Sequence, residues 1–310
     1  MSEGKPRVLM LTEPLAAPVS AMAGGAFEIV GPWTVDGPWE AHLARHGAGI
    51  TAAISSSIDN FDAHLLALLP DLKHISVFGA GMDGVDLAVA EQRGIAVTSG
   101  GAIHSGEVAD HAVGMMIAAR RRLVESDAWV RQGQWQGEAR FPPTVSLRRQ
   151  KVGIIGLGHI GMAIAERAQV FSPDIAWWGP RDKPAPWPRK ESLHALAEWA
   201  DILFVAARAD DASRGLVDGR VIEALGAGGL LINISRGFVV DEQALIAALR
   251  DGRLGQAALD VFDPEPTVAA RWADVPNTLL SPHNAGVTTD AIMALCAHAV
   301  QTVKDALARG

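Results

Sequence analysis

The stretch Lys151-Val152-Gly153-Ile154-Ile155-Gly156-Leu157-Gly158-His159-Ile160-Gly161 decides how this chain is to be read. Its first half is an apolar run of strand length. Its second half is a GxGxxG turn opening into a segment with helical spacing. Such a turn alone is a weak signal in a chain with 32 glycines. Between a buried strand and a helix it acquires a mechanism. The N–H groups of the turn and of His159, Ile160 and Gly161 then converge on one point, where a pyrophosphate can bind. Gly156, Gly158 and Gly161 are therefore read as cofactor-binding positions, against the plainer alternative of an ordinary strand-to-helix turn.

Working outward, short apolar runs alternate with amphipathic helical stretches. Strands are predicted over residues 8–12, 50–55, 74–78 and 95–98, and again over 152–155, 175–178, 202–206, 230–234 and 257–261. The runs are apolar throughout rather than at every second residue, the pattern of parallel sheets covered by helices on both faces. A chain of 310 residues has room for about two such domains. Two helices carry clear apolar stripes. One covers 105–123 through Val108, Ala112, Met115, Met116, Ala119 and Leu123; the other covers 289–307 through Ile292, Leu295, Cys296, Ala299, Val303 and Leu307. A third, capped by Asp241, is predicted to end at Asp251-Gly252, while 141–150 and 179–190 read as loops.

Composition narrows the function. A formal charge of −8 argues against nucleic acid or an anionic membrane as the main partner, because phosphate binding needs clustered cations. No run is long enough to be a targeting segment or a membrane span, so a cytoplasmic protein is expected. One cysteine excludes an internal disulfide and a cysteine-rich metal site, and no metal is expected. Cys296 lies on an apolar stripe, which predicts a buried, inert thiol.

Three segments downstream of the glycine-rich turn each follow a strand-like run: Asn233-Ile234-Ser235-Arg236-Gly237, Asp260-Val261-Phe262-Asp263-Pro264-Glu265-Pro266, and Ser281-Pro282-His283-Asn284-Ala285-Gly286. In an open parallel sheet the carboxyl ends of the strands share the ligand crevice. An arginine there can clamp a carboxylate through two hydrogen bonds. A histidine beside a carboxylate has its charged form stabilised, which suits a proton donor. Taken singly, Arg236 could cap carbonyls, Glu265 could be a solvated turn and His283 a satisfied loop histidine. Their conjunction on three strand ends points to chemistry.

At this point the chain resembles the D-isomer-specific 2-hydroxyacid dehydrogenases. The resemblance extends from about Val8 to the last helix. It includes Ser76-Val77-Phe78-Gly79-Ala80-Gly81-Met82-Asp83-Gly84-Val85-Asp86, then Arg93-Gly94-Ile95-Ala96-Val97-Thr98, then Glu107-Val108-Ala109-Asp110-His111, followed by the glycine-rich turn and the three segments above in family order. It implies an α/β protein of two Rossmann-like, doubly wound parallel-sheet domains separated by an active-site cleft. Residues 1–100 plus 285–310 would form a discontinuous substrate-binding domain and 101–284 the dinucleotide-binding domain, with the 105–123 helix on the hinge side. It implies a homodimer, and a small anionic 2-oxo or 2-hydroxy acid as substrate.

By the same resemblance His283 looks like the general acid, Glu265 like the partner that orients it and stabilises its charge, and Arg236 like the group that holds the substrate carboxylate. Backbone amides of Ala80 and Gly81 would complete the carboxylate site. Asp260 resembles the residue beside the nicotinamide carboxamide, and Ser105 takes a position often held by threonine beside the cofactor. The Val108-Ala109-Asp110 variant of the usual Val-Ala-Glu is associated with the glyoxylate, hydroxypyruvate and hydroxyphenylpyruvate reductases. An NAD enzyme normally ends its second cofactor-domain strand with an acidic residue; here Gly179 holds that position and Arg181 and Lys183 follow. NADP(H) is therefore favoured over NAD(H), with Asp182 the competing carboxylate. Ser55-Ser56-Ser57 is expected to line the substrate cleft; Trp135 matches a family position near the dimer interface, with a packing role the expected one. A different class is represented by the C-terminal-binding-protein corepressors, nucleotide-sensing binding proteins of the same fold. They would call for a long tail, whereas only 27 residues follow His283. Formate dehydrogenases would pair the histidine with glutamine rather than Glu265.

Overall fold

The computed structural model describes residues 5–56, 59–172 and 174–309. The chain divides into two compact units, one running to His104 and resuming at Val287, the other Ser105–Gly286.

The first unit contains five strands, β1 Arg7–Met10, β2 Glu28–Val30, β3 Ile50–Ser56, β4 His74–Phe78 and β5 Ala96–Ser99. They form one parallel sheet in the order β2-β1-β3-β4-β5. The Thr289–Arg309 helix belongs to this unit although it comes last in the chain. Its Cys296, Ala299, Val300 and Val303 pack on Val8, Met10, Ala52 and Ile54. Thr302 Oγ1 donates to Ser76 Oγ at 2.9 Å, tying the helix to the middle of the sheet. Cys296 is fully buried, and that burial pushes its thiol up in pKa, in keeping with an inert side chain.

The second unit holds β6 Val152–Ile155, β7 Ile175–Trp178, β8 Ile202–Val205, β9 Leu230–Asn233, β10 Gln256–Leu259 and β11 Thr278–Leu280. These are also parallel, in the order β11-β10-β9-β8-β6-β7. Both units thus repeat the order second, first, third, fourth, fifth, and the second unit adds a sixth strand. In each, the chain leaves the first strand on one side and later returns on the other, the topological switch at which such sheets bind ligands. In the second unit that point lies between the carboxyl ends of β6 and β8. Val152, Ile154 and Ile155 are fully buried, each contributing about 1.5–3 kcal/mol of apolar burial.

β2 and β11 are not anticipated from the sequence. Each has three residues, sits at a sheet edge and stays partly exposed, so neither produces an apolar run. The helix predicted through Leu123 stops at Arg120 and a second one, Leu123–Arg131, follows. The cause is the buried Arg120. Its guanidinium donates to Gln256 Oε1 at 3.0 Å, Asp201 O at 2.6 Å and Gly228 O at 3.0 Å, which anchors the helix end on the sheet. Burial, partly offset by Asp201, brings Arg120 down to about 10. Arg122 then turns the chain with a φ of 51°.

Two smaller expectations are corrected. Ser55 is fully buried and donates to the Ser56 carbonyl at 3.1 Å, so it cannot line a substrate cleft; Ser57 lies outside the described residues. Trp135 is 62% exposed, which removes an internal packing role.

Candidate active site

The glycine-rich turn is built as its sequence requires, each glycine for a separate reason. Gly156 has a φ of 87°, and a Cβ on it would come within 2.6 Å of Ala207 Cα. A Cβ on Gly161 would stand 2.0 Å from the Gly156 carbonyl oxygen, so only glycine lets the His159–Ala168 helix pack against the turn. A Cβ on Gly158 would meet nothing within 4 Å. Gly158 is the N-cap of that helix and offers no side-chain cap, leaving the first N–H groups available to an anion. The open face at Gly158, the uncapped helix start and the two close-packed glycines around it fit a dinucleotide pyrophosphate.

Around the turn, Ala206 N donates to Ile155 O at 2.9 Å. Ser235 Oγ donates to Ala207 O at 2.7 Å, joining the ends of β8 and β9. Beyond β7, the Lys183 ammonium reaches back and donates to the Leu157 carbonyl. Arg181 is exposed, and Asp182 Oδ1 accepts from the Lys183 amide at 3.0 Å. Arg189, which sequence reading overlooked, donates to Gly179 O at 2.7 Å and lies 5.8 Å from the centre of the Trp177 ring. A Cβ on Gly179 would press on the same ring at 3.3 Å. Arg189 thus sits at the end of β7, Lys183 bonds back to the glycine-rich turn, and Arg181 is exposed in the loop after that strand. Asp110 pairs with Arg167 at 2.5 Å and so braces the Ser105–Arg120 helix against the helix that follows the turn. Ser105 begins that first helix.

The second cluster stands on the ends of β9, β10 and β11. His283 Nδ1 and Glu265 Oε2 are 2.6 Å apart. Both side chains are partly exposed, 31% and 25%, so the pair is open to a reactant while shielded on one side. Glu265 Oε1 accepts from the Phe262 amide at 2.9 Å. Burial by itself pushes the Glu265 carboxyl up, but the bonds from His283 and Phe262 and the charges of His283 and Arg236 outweigh it. The net effect holds Glu265 below the usual carboxylate range and keeps it ionised at neutral pH. Arg236 is half-buried just beyond β9, where its Nη1 donates to the Ser235 carbonyl at 2.8 Å and Asn233 Nδ2 donates to its own carbonyl at 3.0 Å. Arg236, Glu265 and His283 are therefore brought into one electrostatic neighbourhood from positions scattered along the chain.

Asp260 holds the histidine loop. It is 1% exposed. Its Oδ1 accepts from Ser281 Oγ at 2.6 Å and from the Asn284 amide at 3.0 Å, its Oδ2 from the Ala285 amide at 2.9 Å, and its carbonyl from the His283 amide at 2.7 Å. These bonds fix His283 with a φ of 50°, a conformation a side chain rarely adopts unless its surroundings impose it. His111 Nε2 lies 3.1 Å from Ser281 Oγ and 3.6 Å from Asp260 Oδ1. Ser281 and His111 stood in the quoted motifs, yet nothing in their spacing said that they meet. Ala80 and Gly81 occupy the turn after β4 in the first unit. Among the described residues no group of three or more His, Cys, Asp or Glu side chains is placed to hold a metal ion.

The profile of the family described as D-isomer specific 2-hydroxyacid dehydrogenase, NAD binding domain, matches residues 113–285. A glyoxylate/hydroxypyruvate reductase of Arabidopsis thaliana is 44% identical over 243 residues, 78% of this chain and 77% of that protein. The chain belongs to the D-isomer-specific 2-hydroxyacid dehydrogenases. A 2-ketogluconate reductase of Gluconobacter oxydans, 40% identical with the same coverage, lies in the same range. Among solved structures, the NADPH-dependent glyoxylate/hydroxypyruvate reductase of Sinorhizobium meliloti, crystallised with NADP and malonate, superposes with a TM-score of 0.91. It is 33% identical and covers 99% of this chain and 95% of its own. As a 2-hydroxyacid dehydrogenase the protein is an oxidoreductase that uses a nicotinamide dinucleotide.

Proposed function

We propose that this dehydrogenase works as an NADPH-dependent reductase of small 2-oxo acids, of the glyoxylate or hydroxypyruvate type, and gives the D-2-hydroxy acid. The observation that carries this reading is the 2.6 Å His283–Glu265 pair on strand ends of the same unit as the glycine-rich turn, with Arg236 beside it. When bound, a reduced nicotinamide supplies the hydride to the carbonyl carbon. The chain supplies the rest. Arg236 holds the substrate carboxylate. His283, held at Nδ1 by Glu265, presents Nε2 to the carbonyl oxygen and gives it a proton as the alkoxide develops. Ionised Glu265 stabilises the imidazolium before that transfer. Gly156, Gly158, His159, Ile160 and Gly161 would hold the pyrophosphate, and Ser105 and Asp260 would border the nicotinamide.

The preference for the phosphorylated cofactor is drawn from the β7 end, where Gly179 replaces the usual acidic residue, Lys183 and Arg189 bond the Leu157 and Gly179 carbonyls and Arg181 is exposed, with Asp182 the competing carboxylate. A 2′-phosphate suits three cations better than a ribose hydroxyl does. The named substrates of the reductases above agree with a small polar acid. Leu123, Val124, Val130, Trp135 and Val145 remain 45–62% exposed on the second unit, apolar side chains that a homodimer contact would cover. Among the described residues no helix is long and apolar enough to cross a membrane.

The test is loss of nicotinamide absorbance with hydroxypyruvate, glyoxylate and 2-ketogluconate, each with NADPH and NADH. Fast turnover with NADPH, abolished in His283→Asn with cofactor affinity retained, is the expected result. Near-wild-type rates in His283→Asn would remove that residue from the mechanism, and equal efficiency with both cofactors would remove the phosphate reading.

A further inference from the structure

Glu265 sits on a loop whose position is fixed by neither of its own two contacts. One runs to the amide of Phe262 three residues earlier, the other to the histidine it must orient. What holds the loop comes from elsewhere. The Asp263 amide donates to Glu242 Oε1 at 2.7 Å, and the Asp263 carbonyl accepts from Arg271 Nη1 at 2.7 Å. Arg271 Nη2 lies 2.8 Å from Glu242 Oε2, so two side chains joined to each other grip both polar groups of one residue. The Arg271–Glu242 contact lacks hydrogen-bond alignment and leaves Oε2 without a hydrogen-bond partner, so the attraction is mainly coulombic.

Glu242 is 6% exposed at the start of the Glu242–Arg250 helix, an expensive place for a charge. Burial pushes its carboxyl above the usual range. The Asp263 amide and Arg271 pull it back, while Asp263 and Glu265 push it further up. Arg214 faces the Asp263 carboxylate of the same loop, 3.7 Å from its Oδ2. A buried ion pair is poor at raising stability, since apolar residues of similar size commonly serve as well or better. Its chemistry here lies in geometry and charge. It sets where the loop stands, and it places a second carboxylate within electrostatic reach of Glu265.

We propose that Glu242 and Arg271 are a positioning pair for the reaction, fixing Glu265 through the Asp263 backbone and thereby the direction in which His283 presents its proton. The inference rests on the His283–Glu265 reading above. A catalytic group displaced by an ångström loses on the order of a hundredfold in rate.

The experiment compares Arg271→Ala, Arg271→Lys, Glu242→Gln and His283→Asn in the full chain, with the 2-oxo acid that the wild type reduces fastest. Arg271→Ala should lower kcat by roughly 10- to 100-fold, with the dissociation constant for NADPH changed less than about twofold. Arg271→Lys, which keeps the charge pair but only one donor group, should recover most of that loss. Glu242→Gln keeps an acceptor for the Asp263 amide and removes a negative charge. It should move the alkaline limb of the kcat/KM profile for reduction to lower pH by at least about 0.3 unit. Proton NMR of the Nδ1–H···Oε2 resonance should weaken or shift in Arg271→Ala without substrate. An unchanged resonance and kcat within threefold of wild type, with His283→Asn inactive, would overturn the positioning pair alone. Equal losses of kcat, cofactor affinity and melting temperature, unrescued by lysine, would reduce the pair to a structural clamp and overturn it too. Turnover by His283→Asn would overturn both readings.

Discussion

Gly158→Ala and Gly161→Ala should separate cofactor binding from folding, because the two glycines face opposite surroundings. A methyl group at Gly158 would touch no atom within 4 Å, and the φ of −73° there suits any residue. Substitution removes unfolded-state freedom worth about 0.4–1 kcal/mol. Alanine is a poorer helix N-cap than glycine by a comparable amount, about 0.5–1 kcal/mol. The two nearly cancel, so the melting temperature should stay within about 2 °C. The same methyl group stands where a pyrophosphate would approach the helix N–H groups. Losing one charge-assisted bond, about 1.5–3 kcal/mol, weakens binding roughly 10- to 150-fold. Gly161→Ala brings Cβ to 2.0 Å from a backbone carbonyl that has little room to move. Overpacking of that kind costs roughly 3 kcal/mol, or about 6–12 °C in a unit of this size. Thermal melts and fluorescence titration with NADPH read both quantities. A folded Gly158→Ala that binds NADPH within threefold of wild type would refute the placement of the pyrophosphate.

Three other perturbations have expected outcomes. Asp260→Ala leaves the Asn284 and Ala285 amides without their acceptor. It should cost about 2–5 kcal/mol and lower kcat, checked by chemical denaturation and steady-state rates, with Asp260→Asn milder because the amide oxygen keeps one bond. The Arg181→Ala/Lys183→Ala double variant should lower kcat/KM for NADPH by about tenfold or more and leave NADH within twofold, and an equal loss for both would argue against phosphate recognition. His74 is 2% exposed in the middle of the first sheet, where burial, then the charge of Arg309, lower its pKa. Because its folded pKa lies below the unfolded value of 6.5, its contribution is fully present above 6.5 and is lost as pH falls from there through the lower folded pKa. Denaturation between pH 7 and 5 should therefore show a smaller loss of stability in His74→Leu than in wild type, and parallel curves would exclude His74 as a source of acid sensitivity.

Much of the fold could be read directly because its cause is local. A strand covered by helices must be apolar along its length, which made β6 and β7 legible to the residue. A turn that packs against its own helix must be glycine, so Gly156 and Gly161 announced the nucleotide unit. Short, partly exposed strands lack that constraint, and β2 and β11, three residues each, went unread. The helix break at Arg120 also escaped, because its cause is three acceptors brought by distant segments.

The site divides along the same line. Sequence determined which side chains could act: Arg236, Glu265 and His283 each follow a strand, and parallel strand ends converge. It also fixed the absence of an acidic residue at Gly179. Only tertiary structure decided the distances and the support. Separations along the chain such as the 170 residues between His111 and Ser281 carry no local signal, so the ring around Asp260 could not be foreseen. The same holds for Arg189, which reaches the β7 end because residues near it pair with Trp177, and for Glu242 and Arg271. Motifs name the groups that touch a reactant because the chemistry limits the choice of residue. The groups that hold them in place can come from any segment that the fold brings close, so only the packed chain identifies them.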